Sequence, residues 1–295
     1  MSEPASAAVG IVGVGSLGLA FAKNIMATGR RVVGYRRSAM DAFAAAGGTP
    51  ARSPRAVAQA ADVVLTCLPG AAAMDDVVAG PDGLAAGVRA GQIVVDLSTF
   101  DPADKERARQ ALAAAGAVML DGAVSGNPFY VAKRQAVIFV GGDAAAFETA
   151  RPVLEAATDT VRHVGSFGAG TALKLLASLL VPVHTLAAAE ALQLGIRAGI
   201  APEAIFEAIK GTQASSQMFE TRGAAMVKRD YSAFNAALEG YYTGNVAMTR
   251  ALAARVGGRY PLLEAMAALY GECVAAGEAS RDQATIFEYL MRDRR

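Results

Sequence analysis

Val9-Gly10-Ile11-Val12-Gly13-Val14-Gly15-Ser16-Leu17-Gly18-Leu19-Ala20 runs a short apolar strand straight into G-x-G-x-x-G and a helix-forming segment. The motif is informative only in this context, a buried strand before it and a helix after it, and both are present. Gly13 would make the tight turn, Gly15 would let the backbone approach a pyrophosphate, and Gly18 would let helix and strand pack closely. The phosphates would sit over the helix N-terminus. The candidate cofactor-binding positions here are therefore Gly13, Gly15, Ser16, Leu17 and Gly18. The competing reading is a strand-to-helix turn that is merely Gly-rich.

The tip of the next strand refines the ligand. NAD-specific sites place Asp or Glu about 20 residues on, to bond the ribose hydroxyls. This chain reads Arg31-Val32-Val33-Gly34-Tyr35-Arg36-Arg37-Ser38, without an acid. Two guanidiniums and a hydroxyl suit a 2′-phosphate, because Arg offers a planar fork of donors. Arg36, Arg37 and Ser38 thus favour NADP(H) over NAD(H). The alternative is that both arginines are solvated charges after a strand.

At 295 residues the chain exceeds the usual single-domain range. The 28 Lys and Arg against 27 Asp and Glu leave a net charge of +1, which provides no field for nucleic acid or an anionic membrane. Cys67 and Cys273 make neither a disulfide framework nor a metal site, and a reducing cytoplasm fits them. Met1-Ser2-Glu3-Pro4 has no basic region of a secretory signal. The uncharged run 175–189 is shorter than the roughly 20 residues a bilayer requires and contains Pro182 and His184, so it reads as a buried core helix.

Apolar β-sized runs at 8–12, 31–35, 62–67, 92–96, 116–120, 136–140 and 160–164 alternate with helical segments near 16–28, 38–46, 54–60, 71–79, 102–115 and 143–156. That alternation predicts an α/β, Rossmann-type, doubly wound and mostly parallel sheet. Residues 121–135 lack a clear helix, which leaves the last strands free to pair antiparallel at one edge. From 171 onward the pattern is helical, with breaks at Gly199-Ile200-Ala201-Pro202, around Lys228–Tyr231, at Gly257–Pro261 and at Gly277. The expectation is a nucleotide-binding domain over 1–165 and an all-α substrate and dimerisation domain over 166–295. Few charges along 171–227 point to helices buried against a second subunit, in a homodimer or homotetramer.

Between Arg162 and Glu190 the one formally charged side chain is Lys174. A lysine in apolar surroundings has its charged form disfavoured, so its pKa falls and it can exchange protons near working pH. Such a group can protonate the alkoxide that develops as hydride reaches a carbonyl carbon. The alternative is a lysine near a helix N-terminus that snorkels to solvent.

Five segments in order resemble the β-hydroxyacid dehydrogenase family, which includes 3-hydroxyisobutyrate dehydrogenase, tartronate semialdehyde reductase and, more distantly, 6-phosphogluconate dehydrogenase. They are Gly13 to Asn24, with Leu17 where methionine is usual, then Cys67-Leu68-Pro69, Asp96-Leu97-Ser98-Thr99, Asp121-Gly122-Ala123-Val124-Ser125-Gly126, and Gly168-Ala169-Gly170 followed by Lys174. The resemblance covers essentially the whole chain and implies a small-molecule oxidoreductase without a metal. It implies that Leu68, Pro69, Ser98 and Thr99 flank the cofactor, that Ser125 and Gly126 hold a substrate carboxylate, and that Lys174 is catalytic. The residue types agree: Ser125 with the amides at Gly126 and Asn127 offers donors for a carboxylate, and Ser98 and Thr99 offer hydroxyls for ribose or carboxamide. Ser125 is equally suited to a plain turn, and Ser98 and Thr99 to capping the helix near Pro102.

Three departures from the family pattern bear on substrate. The loop after Gly126 continues Asn127-Pro128-Phe129-Tyr130-Val131-Ala132-Lys133-Arg134 rather than with glycines. Ser178 stands one turn after the lysine, where the family has asparagine. Tyr242-Thr243-Gly244-Asn245 stands where the family has a Lys-Asp pair, leaving Asn245 as a neutral substitute. Two other classes remain open on these residues: an NADPH-dependent reductase of a bulkier carbonyl or an imine, and a non-catalytic dinucleotide-binding sensor or scaffold. The stretches 184–192 and 215–222 are similar to threonate dehydrogenase and its relatives. There Arg222 or Ser216 is a candidate pocket residue, against the readings of Arg222 as a structural ion pair and of His184 as a core histidine.

Overall fold

The computed structural model describes residues 8–234 and 237–292. The N-terminal stretch 1–7, read above for a signal sequence, lies outside them. The chain divides into two compact units between Lys174 and Leu175.

The first unit is built on one eight-stranded sheet. Its strands are β1 (Val9–Val12), β2 (Val32–Tyr35), β3 (Thr49–Pro50), β4 (Val63–Thr66), β5 (Ile93–Asp96), β6 (Val118–Ser125), β7 (Val137–Gly141) and β8 (Thr160–His163). They lie in the order β3-β2-β1-β4-β5-β6-β7-β8. The first six are mutually parallel, β7 is antiparallel to β6, and β8 is parallel to β7. The doubly wound sheet and its antiparallel edge match the expectation, and β3 is a two-residue strand too short to show in the apolar pattern. Along β1, Val9 and Ile11 enter one apolar layer with Phe21 and Ile25, while Val12 enters the other with Val57, Val64 and Met74. Alternate side chains thus feed two cores, which is why parallel strands read as continuous apolar runs.

The connecting helices are α1 (Ser16–Ala27), α2 (Asp41–Ala45), α3 (Pro54–Ala60), α4 (Ala71–Ala79), α5 (Pro102–Ala114), α6 (Pro128–Ala132) and α7 (Ala144–Ala157). Residues 121–135 differ from the sequence expectation. Strand β6 continues to Ser125, and the short helix α6 follows, nucleated by Asn127, whose Oδ1 accepts from the Phe129 and Tyr130 amides at 3.0 and 3.2 Å. Pro128 at the first helical position completes that start signal.

Helix α8 (Ala169–Arg197) begins in the first unit and runs on into the second, which continues with α9 (Pro202–Ile209), α10 (Ala224–Lys228), α11 (Leu238–Tyr241), α12 (Ala247–Val256), α13 (Pro261–Cys273) and α14 (Ile286–Met291). π-helical turns at 219–223, 242–246 and 274–278 extend α10, α11 and α13. The predicted breaks appear, including Gly277 with φ +93°. The apolar run 175–189 is part of a 29-residue helix, which by length and composition is apolar enough to cross a membrane. The polar ends of that helix fell outside the run, and 44% of its most apolar window is buried. His184 is exposed rather than a core residue.

Candidate active site

In the parallel part of the sheet the strands end along one edge, with Val12, Thr66, Asp96 and Asp121 in one row of the register. The order reverses between β1 and β4, the switch point where open α/β sheets bind ligands. The glycine turn leaves β1 there. Gly13 has φ +97°, and a Cβ on it would run into the Cys67 carbonyl oxygen. A Cβ on Gly18 would strike the Gly13 carbonyl, whereas nothing lies within 4 Å of one on Gly15. These are the roles of turn, close packing and open approach expected of the fingerprint. Gly15 is the N-cap of α1, and no side chain caps that twelve-residue helix. Its first amides are thus available to an anion, and the residues fit a dinucleotide pyrophosphate.

Arg36, Arg37 and Ser38 follow β2 and are exposed. Arg36 Nη1 lies 3.5 Å from the Val14 carbonyl, beside the glycine turn. Arg37 approaches Asp76 at 3.8 Å with both side chains about three-quarters exposed, a pairing too solvated to hold the guanidinium.

The loops after β4 and β5 are tied together beneath the surface. Asp96 Oδ1 accepts from Thr66 Oγ1 at 2.6 Å and Ser98 Oγ at 2.7 Å, and Ser98 Oγ accepts from the Leu68 amide at 2.8 Å. Ser98 therefore spends its one donor inside the protein, leaving at most an acceptor lone pair for a ligand. Nor do Ser98 and Thr99 cap α5. Asp101 does, accepting from the Ala103 amide at 2.8 Å. Pro69 is exposed and Thr99 half-buried in these loops. Cys67, half-buried beside Asp96, has its thiol pushed well up by burial and then by that carboxylate, so it is no nucleophile.

The lysine is placed by a second tie. Asp121 of β6 accepts from the Thr171 amide at 2.8 Å and the Thr171 hydroxyl at 2.6 Å. Gly170 makes this approach possible, since a Cβ on it would collide with the Asp121 carbonyl oxygen. Lys174 follows one turn later in α8, and burial lowers its pKa below the ordinary 10.5 with no carboxylate to offset it. Gly170→Ala is expected to push the start of α8 off β6, costing about 1–3 kcal/mol as an overpacked contact. Thermal unfolding should register this as a lower Tm accompanied by a loss of kcat.

Ser125 ends β6, half-buried, and Gly126 follows with φ +144°. The donor expected at Asn127 is its backbone amide; its side-chain carbonyl caps α6. In the second unit, Ser178 and Asn245 come together around Tyr241. Pro182 has no N–H for the Ser178 carbonyl, and the Tyr241 hydroxyl donates to that carbonyl at 2.5 Å. The same phenol lies beside the Asn245 side chain, and burial pushes its pKa up to about 12. Ser178 Oγ is buried and makes no hydrogen bond in normal geometry among the described residues. Arg222 pairs with buried Asp282 at 3.1 Å, the structural role, and Ser216 Oγ accepts from the Phe219 amide at 3.1 Å.

Sequence reasoning quoted Asp96 and Asp121 inside motifs without giving them work, and it missed Thr66, Thr171 and Lys105 altogether. Lys105 Nζ lies 2.9 Å from Asp96 Oδ2 and 2.7 Å from Asp121 Oδ1. A signal existed: Lys105 shares the inner face of α5 with Ala108 and Leu112, three and seven residues on, where a lysine has no place unless paired. Among the described residues no group of His, Cys, Asp and Glu is placed to hold a metal.

Residues 8–165 match the family described as the NAD binding domain of 6-phosphogluconate dehydrogenase, and residues 168–290 match the family described as NAD-binding of NADP-dependent 3-hydroxyisobutyrate dehydrogenase. L-threonate dehydrogenase of Cupriavidus necator is 35% identical over 231 residues, 77% of this chain and 78% of that protein. NAD-dependent L-serine dehydrogenase of Pseudomonas aeruginosa is 32% identical over 76% of this chain and 78% of its own length. The crystal structure of 3-hydroxyisobutyrate dehydrogenase from Salmonella typhimurium superposes with a TM-score of 0.80 at 29% identity, covering 96% of this chain and all of that one. With its glycine turn, its uncapped helix and its lysine in the matching order, the chain belongs to the β-hydroxyacid dehydrogenase family of NAD(P)-linked oxidoreductases.

Proposed function

We propose that the protein is an NADPH-preferring oxidoreductase that interconverts a small β-hydroxy acid and its aldehyde or ketone. The observation that carries this is Lys174, a buried lysine with a lowered pKa on a helix whose first turn is pinned to β6 through Asp121 and Thr171.

The glycine turn and the amides of Ser16, Leu17 and Gly18 would hold the pyrophosphate, with Arg36, Arg37 and Ser38 on the 2′-phosphate and Leu68, Pro69, Ser98 and Thr99 along the nicotinamide half. NADPH, when bound, supplies the hydride equivalent. Lys174 as ammonium donates a proton to the developing alkoxide in reduction, and as free amine it takes the hydroxyl proton in oxidation. Ser125 with the Gly126 and Asn127 amides holds the carboxylate. The absence of an acid at the β2 tip and the exposure of Arg36 and Arg37 support NADPH. The protein works in the cytoplasm, as a homodimer or homotetramer.

Initial rates on three- and four-carbon hydroxy acids and semialdehydes, with both cofactors, test the reading. The expected result is turnover of at least one such acid with NADP(H) preferred. Turnover of cyclic imines alone, or of nothing, overturns it.

A further inference from the structure

Lys105 is only 1% exposed, and the two carboxylates that it meets are fully buried. Its ammonium donates to Asp121 Oδ1 at 2.7 Å and to the Gly122 carbonyl at 2.9 Å, and it lies 2.9 Å from Asp96 Oδ2 as an ion pair, so the one group bridges β5 and β6. Each carboxylate then reaches outward. Asp96 holds Ser98 and through it the Leu68 amide, in the two loops expected to flank the nicotinamide. Asp121 holds the amide and hydroxyl of Thr171, three residues before Lys174.

We infer that Lys105 is a positioning residue that clamps Asp96 to Asp121 and so fixes the cofactor loops in register with the helix carrying Lys174. The inference rests on the proposed roles of those loops and of Lys174.

The charge count gives the clamp its force. Two carboxylates meet one ammonium, and the surplus negative charge is met by the N-terminus of α8 at Thr171 and by the hydroxyls of Thr66 and Ser98. Burial alone would push the lysine's pKa down, but the two carboxylates outweigh it and hold the pKa above 10.5. The ammonium thus persists at every working pH. Other charges around α5 face away from it: Arg107 pairs with Asp104 and approaches Asp75 of α4, and Arg109 pairs with Glu106. The Cys67 thiol beside Asp96 is a further titratable neighbour.

Lys105→Met keeps the bulk and removes the charge, leaving Asp96 and Asp121 to repel. Like charges raise carboxylate pKa values, so the folded variant binds a proton that the unfolded chain lacks at that pH. Its stability is then present at the acid end and is lost as pH rises. Adding Asp121→Asn returns the cluster to its wild-type net charge of one negative: the new amide accepts from the Thr171 N–H and donates to the Thr171 hydroxyl. In the wild-type background the same amide would face the ammonium.

The experiment compares Lys105→Met, Asp121→Asn and the double variant with wild type, reading kcat against pH, the NADPH dissociation constant by cofactor fluorescence, and Tm. Each single change is expected to lower kcat at pH 8 by about tenfold or more, as for a misplaced reacting group. Lys105→Met should recover on acidification, and the double variant should regain Tm while kcat and cofactor affinity stay below wild type, since no ammonium joins residues 96 and 121. A Lys105→Met enzyme with lowered Tm but unaltered kcat, pH profile and cofactor affinity would reduce Lys105 to a structural residue and overturn the proposal. If Lys105→Met does not fold, Asp121→Asn decides: lowered kcat and cofactor affinity support the clamp, and wild-type values refute it. Cofactor binding is read without turnover, so a failure of the substrate reading leaves this arm of the test standing.

Discussion

Lys174→Ala is expected to lower kcat by about 100-fold or more while leaving the NADPH dissociation constant within about twofold. The reasoning starts from burial. Among the described residues Lys174 is desolvated without a carboxylate partner, and burial lowers its pKa. A group held in that state gives up or takes a proton far more readily than a solvated lysine. Alanine removes the proton carrier, whereas the glycine turn, the N-terminus of α1 and the arginines after β2 lie on other elements and keep their hold on the cofactor. The pH dependence fixes the sign. Oxidation needs the free amine, so its rate should rise with pH through the lowered Lys174 pKa, below 10.5. Reduction needs the ammonium and should fall over the same range. Both limbs should vanish in Lys174→Ala. An unchanged kcat in single-turnover measurements would remove Lys174 from the chemistry.

Replacing Arg36 and Arg37 together with alanine is expected to raise the NADPH dissociation constant by about 100-fold or more, with NADH affected within about threefold. Hydrogen bonds to a charged group contribute about 1.5–3 kcal/mol each, and two such losses reach that range. Neither guanidinium is committed elsewhere in a way that competes. Arg36 rests 3.5 Å from the Val14 carbonyl, and Arg37 makes a solvated approach to Asp76 at 3.8 Å. Fluorescence titration with both cofactors checks the prediction, and a higher salt concentration should weaken NADPH binding more than NADH binding. Equal losses for the two cofactors would remove the arginines from 2′-phosphate recognition.

What could be read in the chain and what could not follow a physical line. The roles of Gly13 and Gly18 were legible because a glycine demanded by backbone geometry leaves the same mark wherever it occurs, and the structure shows each Cβ site filled by a carbonyl oxygen. Strand β6 was misjudged at its end because Asp121, Gly122 and Ser125 break the apolar run, although the strand continues through them to pair with β7. The capping role of the Asn127 side chain was not legible because a helix as short as α6 leaves no periodic pattern to cap. The internal tie made by Ser98 was not legible either: a hydroxyl aimed at a ribose and one holding a neighbouring loop look alike along the chain.

The doubly wound α/β unit, the helical second unit, the dinucleotide turn and the family are written along the chain, because hydrophobic period and glycine placement act over a few residues at a time. That Lys105 stands between Asp96 and Asp121, and that Thr171 closes the link toward Lys174, emerges on folding alone. Those groups come from strands and helices up to 75 positions apart, counting from Asp96 to Thr171. Buried charges are tolerable only where an opposite charge is brought to meet them, and which charges meet is settled by the order in which strands lie in the sheet.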